Sequence, residues 1–185
     1  MKIEEKDGQL TIVDFDEVEA YKISVKIELD GIDFYKKLAA KAVSKQSKET
    51  LNFLVNEEER HLKFFQNYLQ AIRADKGDSF EEDDLFRTMD YTIFRAKSTK
   101  ELKSIVGDSK KALELGLAIE DKSIKFYSSC KDFVGSQASK QEISKIISEE
   151  EKHKQLLQDL LTHSVTPKFR GRSSFAWLRI LSPRF

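Results

Sequence analysis

The feature that most constrains this chain is an internal repeat. The segment IELDGIDFY, residues 27–35, matches IEDKSIKFY, residues 119–127, with Ile, Glu, Ile, Phe and Tyr in register at an offset of 92 residues. The segment NEEERHLKFFQNYL, residues 56–69, matches SEEEKHKQLLQDLL, residues 148–161, at the same offset. Two separated segments with one common offset indicate that a single structural unit occurs twice.

Each unit is predicted to be a pair of antiparallel helices. Apolar residues recur at steps of three and four in all four segments, which is typical of helices that pack in a bundle. Asp16 and Glu19 predict a capping box at the start of the first helix. Gly135 predicts the stop between the third and fourth helices, and residues 44–47 the stop between the first and second. Short joints of this kind make neighbouring helices antiparallel.

The composition agrees with an all-α fold. Only 7 Gly and 2 Pro occur among 185 residues, and 35% of the residues are charged, which favours long helices. Residues 76–107 are too long for a tight turn and predict a crossover along the bundle, with a helix over about 81–97 that Ser79 would cap. The sequence therefore predicts a four-helix bundle made of two repeated antiparallel hairpins joined by a long crossover.

Each helical stripe is apolar except at one level. The first and third helices place one Glu there, and the second and fourth place a Glu-x-x-His pair, which shares one helix face. The six residues are Glu28, Glu58, His61, Glu120, Glu150 and His153. Four carboxylates that converge inside a protein repel one another, and protonation, exposure or a bound cation would relieve the cost. Two divalent ions balance their charge, and the mixed O/N set suits iron or manganese, with zinc a further possibility.

At these residues the sequence resembles the rubrerythrin branch of the ferritin-like superfamily. The resemblance covers roughly residues 14–163 and rests on IELDGIDFY, EEERH, IEDKSIKFY and EEEKH in that order. It implies a ferritin-like bundle with a di-iron centre that reacts with hydrogen peroxide or dioxygen, and a homodimer or larger assembly. In this interpretation all six residues serve the catalytic metal centre, with Glu58 and Glu150 bridging, Glu28 and Glu120 terminal, and one His on each iron.

Two departures from the rubrerythrin pattern bear on activity. Rubrerythrins proper end in a rubredoxin domain with four cysteines, whereas this chain has only Cys130, which reads as a small core residue. Electrons would then come from a separate donor such as a rubredoxin-like protein. The family also carries an extra Glu three residues after the third-helix glutamate, where this chain has Ser123. This second departure makes a plainer oxidase or ferroxidase site more credible.

Three functions therefore stand side by side. The first is a rubrerythrin-type oxidoreductase that reduces peroxide or dioxygen. The second is a ferroxidase that feeds iron storage, and the third is a structural or interaction bundle that a metal merely stabilises. Fold alone does not separate them, because one bundle scaffold hosts several chemistries.

Two tyrosines recur in register beyond the predicted ligands. Tyr35 and Tyr127 lie seven residues after Glu28 and Glu120. They either fill the core or hydrogen-bond the ligand carboxylates, a kind of contact that orients metal ligands. His163 falls outside both Glu-x-x-His motifs, and the dipole at the end of the fourth helix accounts for it.

The last segment, residues 164–185, is unlike the bundle in composition. It carries five basic residues and no acid, together with Phe175, Trp177, Leu178 and Ile180. It could dock on a partner, an anionic surface or a shell protein, or form a disordered end. The whole chain has 32 basic and 32 acidic residues, which argues against a nucleic-acid partner. Without a signal-like apolar segment, the sequence predicts a soluble cytoplasmic protein.

Overall fold

The computed structural model describes residues 2–6, 9–14, 16–76 and 108–165, with side chains over 16–72 and 108–162. These residues form two strands and four helices: β1 (Lys2–Lys6), β2 (Gln9–Asp14), α1 (Glu17–Lys41), α2 (Lys45–Lys76), α3 (Ser109–Phe133) and α4 (Gln137–Val165). The predicted crossover helix with its Ser79 cap, the tail beyond residue 165 and the side chain of His163 lie outside the described residues.

The two strands form an antiparallel hairpin that the sequence analysis did not predict. Ile3 pairs with Ile12 and Glu5 with Leu10, with an irregularity between Lys2 and Ile3. The signal was present in the sequence, because an Asp-Gly dipeptide at residues 7–8 separates two runs of alternating residues. The hairpin precedes the bundle and leaves the predicted all-α core unchanged.

The predicted capping box opens α1. The side chain of Asp16 accepts from the backbone N–H of Glu19 at 2.8 Å, and the Glu19 carboxylate accepts from the backbone N–H of Asp16 at 3.1 Å. These bonds satisfy backbone donors that the first turn of a helix leaves unpaired.

The two helix joints follow one pattern, which extends the repeat beyond the matched segments. Between α1 and α2 the Ser44 hydroxyl accepts from the backbone N–H of Ser47 at 2.9 Å. Between α3 and α4 the Ser136 hydroxyl accepts from the backbone N–H of Ser139, also at 2.9 Å. The second joint, residues 134–136, contains Gly135 as predicted, whereas the first joint, residues 42–44, lies just before most of the predicted stretch 44–47. The backbone N–H of Gly135 also donates to Glu17 at 3.1 Å, which ties the second joint to the start of α1.

The buried residues form two apolar clusters, one on each side of the level of the glutamates and histidines. One cluster contains Tyr21, Val25, Phe65, Tyr127, Cys130 and Ile146. The other contains Ile32, Tyr35, Leu54, Leu113, Leu157 and Leu160. On every helix the polar level separates residues of the first cluster from residues of the second, so the bundle encloses it at both ends. Within the described ranges, no helix is both long enough and apolar enough to span a membrane.

Candidate metal centre

Six buried side chains meet at the polar level of the bundle. They are the six residues that the sequence singled out: Glu28, Glu58, His61, Glu120, Glu150 and His153. Each helix supplies its part from one face, because Glu and His three residues apart lie one above the other. The most exposed of the six, Glu58, has only 4% of its surface accessible.

The six residues form two overlapping groups of four. In each group the ligand atoms lie within 4.8 Å of one another. The first group, which we call position A, consists of Glu28, Glu58, His61 and Glu150, and the second, position B, of Glu58, Glu120, Glu150 and His153. Two residues, Glu58 and Glu150, belong to both. The cluster can therefore hold two metal ions that share two carboxylates.

Both histidines turn Nδ1 toward the carboxylates. The Nδ1 of His61 lies 3.1 Å from Glu150 and 3.6 Å from Glu58. The Nδ1 of His153 lies 2.8 Å from Glu150 and 3.5 Å from Glu58. The remaining carboxylates are farther, at 3.8 Å from His61 to Glu28 and 3.9 Å from His153 to Glu120. Each shared carboxylate thus faces both imidazoles, as a bridging ligand would.

The carboxylate oxygens and imidazole nitrogens of the cluster are arranged to bind metal ions rather than to hydrogen-bond with one another. Seven buried side-chain atoms lack a hydrogen-bond partner among the described residues, and five of them belong to this cluster: Glu28 Oε2, Glu150 Oε2, His61 Nδ1, His153 Nδ1 and His153 Nε2. Buried polar atoms are rarely left without a partner, because the loss of solvation is costly. Four of these five atoms, all except Nε2 of His153, lie between the carboxylates and the imidazoles of the two groups, so metal ions there would supply the missing partners.

Electrostatics leaves protons on this cluster when no metal is bound. Burial, followed by repulsion from Glu58, raises the pKa of Glu28 well above its usual range. Burial, followed by repulsion from Glu150, does the same to the pKa of Glu120. Burial also works to raise the pKa of Glu58, but the neighbouring imidazoles of His153 and His61 outweigh burial and lower that pKa.

The two histidines take up protons as well. Burial lowers the pKa of each imidazole, but the carboxylates around it outweigh burial, so both pKa values lie well above the ordinary one. Two divalent ions would displace protons from these groups and balance the charge of the four carboxylates.

Two tyrosines, one from each repeat unit, hydrogen-bond a carboxylate of the other unit. The hydroxyl of Tyr35 donates to Glu120, and the hydroxyl of Tyr127 donates to Glu28. Both rings are fully buried. Burial and the neighbouring carboxylate raise the pKa of each hydroxyl, so both remain protonated donors. Of the two interpretations of these tyrosines, the contacts favour the orientation of the carboxylates.

One contact of the centre was missed by the sequence analysis. Glu149, the residue before Glu150, places Oε2 at 3.0 Å from Nε2 of His61. The guanidinium of Arg60 lies 2.8 Å from the same oxygen. It also donates to the carboxylate of Glu57 at 2.9 Å. Burial works to raise the pKa of Glu149, but His61 and Arg60 lower it to about 2, so the carboxylate stays ionised. The signal was weak, since acids beside the stripe are usually solvated.

The family follows from a match along most of the chain. The model of the rubrerythrin family matches residues 19–161. The chain belongs to the rubrerythrin family. The match reaches into all four helices and includes all six residues of the cluster, and the described residues of the chain contain no rubredoxin domain.

A solved structure shows the same fold. The rubrerythrin chain is similar to a ferritin-like diiron-carboxylate protein from Thermotoga maritima, with a TM-score of 0.64 and 19% sequence identity. The similarity covers 84% of this chain and 100% of the other. No curated protein matches the chain significantly. Family, fold and the buried Glu/His cluster agree on a centre that can bind two metal ions, as a di-iron site does.

Proposed function

We propose that this chain is a di-iron oxidoreductase of rubrerythrin type, which reduces hydrogen peroxide or dioxygen with electrons from a separate donor. One observation carries the proposal: Glu58 and Glu150 each face both histidines. Shared carboxylates hold two metal ions next to each other, and reduction of one peroxide to two waters consumes two electrons and two protons. A pair of one-electron metals matches that demand.

Each residue then has a defined part in the centre. Glu58 and Glu150, which belong to both positions, would serve both ions. Glu28 and His61 complete position A, and Glu120 and His153 complete position B. When bound, iron supplies the redox chemistry, and the protein supplies ligand geometry and a site shielded from water. The apolar clusters at both ends of the polar level supply that shielding.

The tyrosines keep the terminal carboxylates in place for this chemistry. Tyr127 holds Oε1 of Glu28, which leaves the other oxygen, Oε2, to face the cluster. Tyr35 contacts Oε1 of Glu120 in the opposite half. Each tyrosine hydroxyl stays protonated and donates a hydrogen bond to one oxygen of the carboxylate. This bond restricts the rotation of the carboxylate group.

One observation favours a second function, ferroxidase activity that feeds iron storage. At the position of the extra family glutamate, Ser123 is buried, and its hydroxyl donates to the backbone carbonyl of Ile119 at 3.2 Å. It therefore offers no carboxylate for a change of ligand during turnover. A centre without that residue could oxidise iron and release it, as well as reduce peroxide.

Anaerobic loading with Fe(II) followed by titration with hydrogen peroxide tests the proposal. Two irons per chain, oxidised by about one peroxide per pair, would support the oxidoreductase. Continued uptake beyond two irons during aerobic addition would support the ferroxidase. Fewer than two irons, or two irons that peroxide does not oxidise, would contradict both and favour the structural bundle. The exposed neighbours Glu59 and Glu151, each replaced by Ala, are matched controls that leave the result unchanged.

A further inference from the structure

The two halves of the metal centre differ at the outer nitrogen of their histidines. Nε2 of His61 lies 3.0 Å from Oε2 of Glu149. Nε2 of His153 is buried and has no hydrogen-bond partner among the described residues. The two imidazoles stack with ring centroids 5.7 Å apart. They therefore lie in the same part of the core, but their Nε2 atoms have different contacts.

The repeat shows that this difference is specific. Glu57 occupies in the first unit the position that Glu149 occupies in the second, at the same offset of 92 residues. If the two units made equivalent contacts, the carboxylate of Glu57 would accept a hydrogen bond from Nε2 of His153. Glu57 instead accepts from Arg60 at 2.9 Å. The second unit has Lys152 at the position of Arg60, so only the first unit brings a guanidinium to this place.

A carboxylate on the outer N–H of a histidine acts on the metal through the ring. It favours the tautomer whose other nitrogen binds the ion, holds the ring plane, and makes the binding nitrogen more basic. His61 has this support, and Arg60 contacts Glu149 at 2.8 Å, which keeps the carboxylate in place. An outer N–H without an acceptor, as at His153, gains none of these effects.

We propose that Glu149 is a positioning residue that makes the two metal positions unequal. Position A, which contains His61, binds a divalent ion more tightly than position B, which contains His153, and fills first. This inference rests on the proposed ligand set, since it assigns one histidine to each ion.

Zinc titration of the metal-free protein tests the order of filling without any activity measurement. Zn(II) is diamagnetic, and the chain has only three histidines, so ring ¹⁵N signals can be followed one by one. We expect the His61 signals to change with the first equivalent and the His153 signals with the second. His163 lies outside both Glu-x-x-His motifs of the sequence and serves as an internal reference.

Variants at Glu149 separate positioning from general structure. Glu149→Ala should weaken the first binding step by about 10- to 100-fold, the usual effect of removing such a partner, and should abolish the preference for His61. Glu149→Gln keeps an acceptor oxygen without the charge and should restore part of the affinity. Glu57→Ala removes the equivalent acid of the other unit and should leave the order unchanged.

The outcomes distinguish this inference from the proposed function. A wild-type protein that binds no zinc pair at the two histidines contradicts the ligand set itself. A pair bound with His153 first, or with both histidines responding together, contradicts the inequality and leaves the ligand set intact. The role of Glu149 is refuted if Glu149→Ala keeps the order, or if Glu57→Ala disturbs it equally.

Discussion

The hydroxyl of Tyr127, on α3, donates a hydrogen bond to the carboxylate of Glu28, on α1. The reciprocal contact joins Tyr35, on α1, to Glu120, on α3. Each repeat unit therefore positions a carboxylate of the other, and neither hairpin contains all the contacts of one metal position. This exchange explains why two units that are so alike act as one domain.

Loss of one tyrosine hydroxyl should affect both stability and metal affinity. In Tyr127→Phe the buried carboxyl of Glu28 loses its partner, which costs about 1–3 kcal/mol in the free energy of unfolding. Urea denaturation of the metal-free protein measures that loss, and metal titration should show weaker binding at one position. Tyr68→Phe removes a hydroxyl from a partly buried ring outside the cluster and is the matched control. An equal loss in both variants would contradict a specific role for Tyr127.

The shared glutamates should matter for both ions, whereas a terminal glutamate should matter for one. Glu58→Ala or Glu150→Ala removes a ligand from positions A and B together, so two-metal binding is lost while helix content stays largely intact. Glu28→Ala removes a ligand from position A alone and should retain about one metal per chain. Metal analysis with far-UV circular dichroism measures both effects. A Glu58→Ala, Glu150→Ala double variant that still holds two irons would refute the site assignment.

Metal binding should release protons and strengthen as pH rises. The pKa values of Glu28, Glu120 and both histidines lie above their ordinary ones, so the metal-free site holds protons that a metal ion must displace. A rise in pH through the range of these pKa values removes the competing protons and increases the affinity. Calorimetric titration in buffers of different ionisation enthalpy counts the protons. Affinity that does not change with pH would show that the carboxyls and imidazoles are already deprotonated.

The thiol of Cys130 should be unreactive in the folded protein. Its side chain is 1% exposed, and burial raises the pKa of the thiol to about 12. Alkylation requires the thiolate, so at pH 9 a native chain should react with iodoacetamide only as fast as it unfolds. Mass spectrometry in the presence and absence of urea measures the two rates. Rapid modification without urea would place Cys130 nearer to solvent than the structure does.

The sequence by itself determined the features that depend on residues close together in the chain, namely the helix caps, the joints and the face of each helix that carries the glutamates and histidines. Asp16 and Glu19 form a capping box because the bond spans only three residues. The hydroxyls of Ser44 and Ser136 accept from N–H groups three residues further on, at the starts of α2 and α4, for the same reason. The six residues of the buried cluster could be predicted because helical periodicity places Glu and His of one helix on one face, and because the repeat presents that pattern twice. The early hairpin had a signal at Asp7 and Gly8 but does not belong to the repeat.

The tertiary structure alone decided how the contacts of the two related units differ once they are packed. The tyrosines contact carboxylates 85 and 99 residues away. Glu149 meets His61 across the interface of α2 and α4, while Glu57, its equivalent, pairs with Arg60. Periodicity determines which way a side chain points from its own helix. Which partner it meets depends on the rotation and offset of neighbouring helices, and these arise from the packing of the two apolar clusters as a whole.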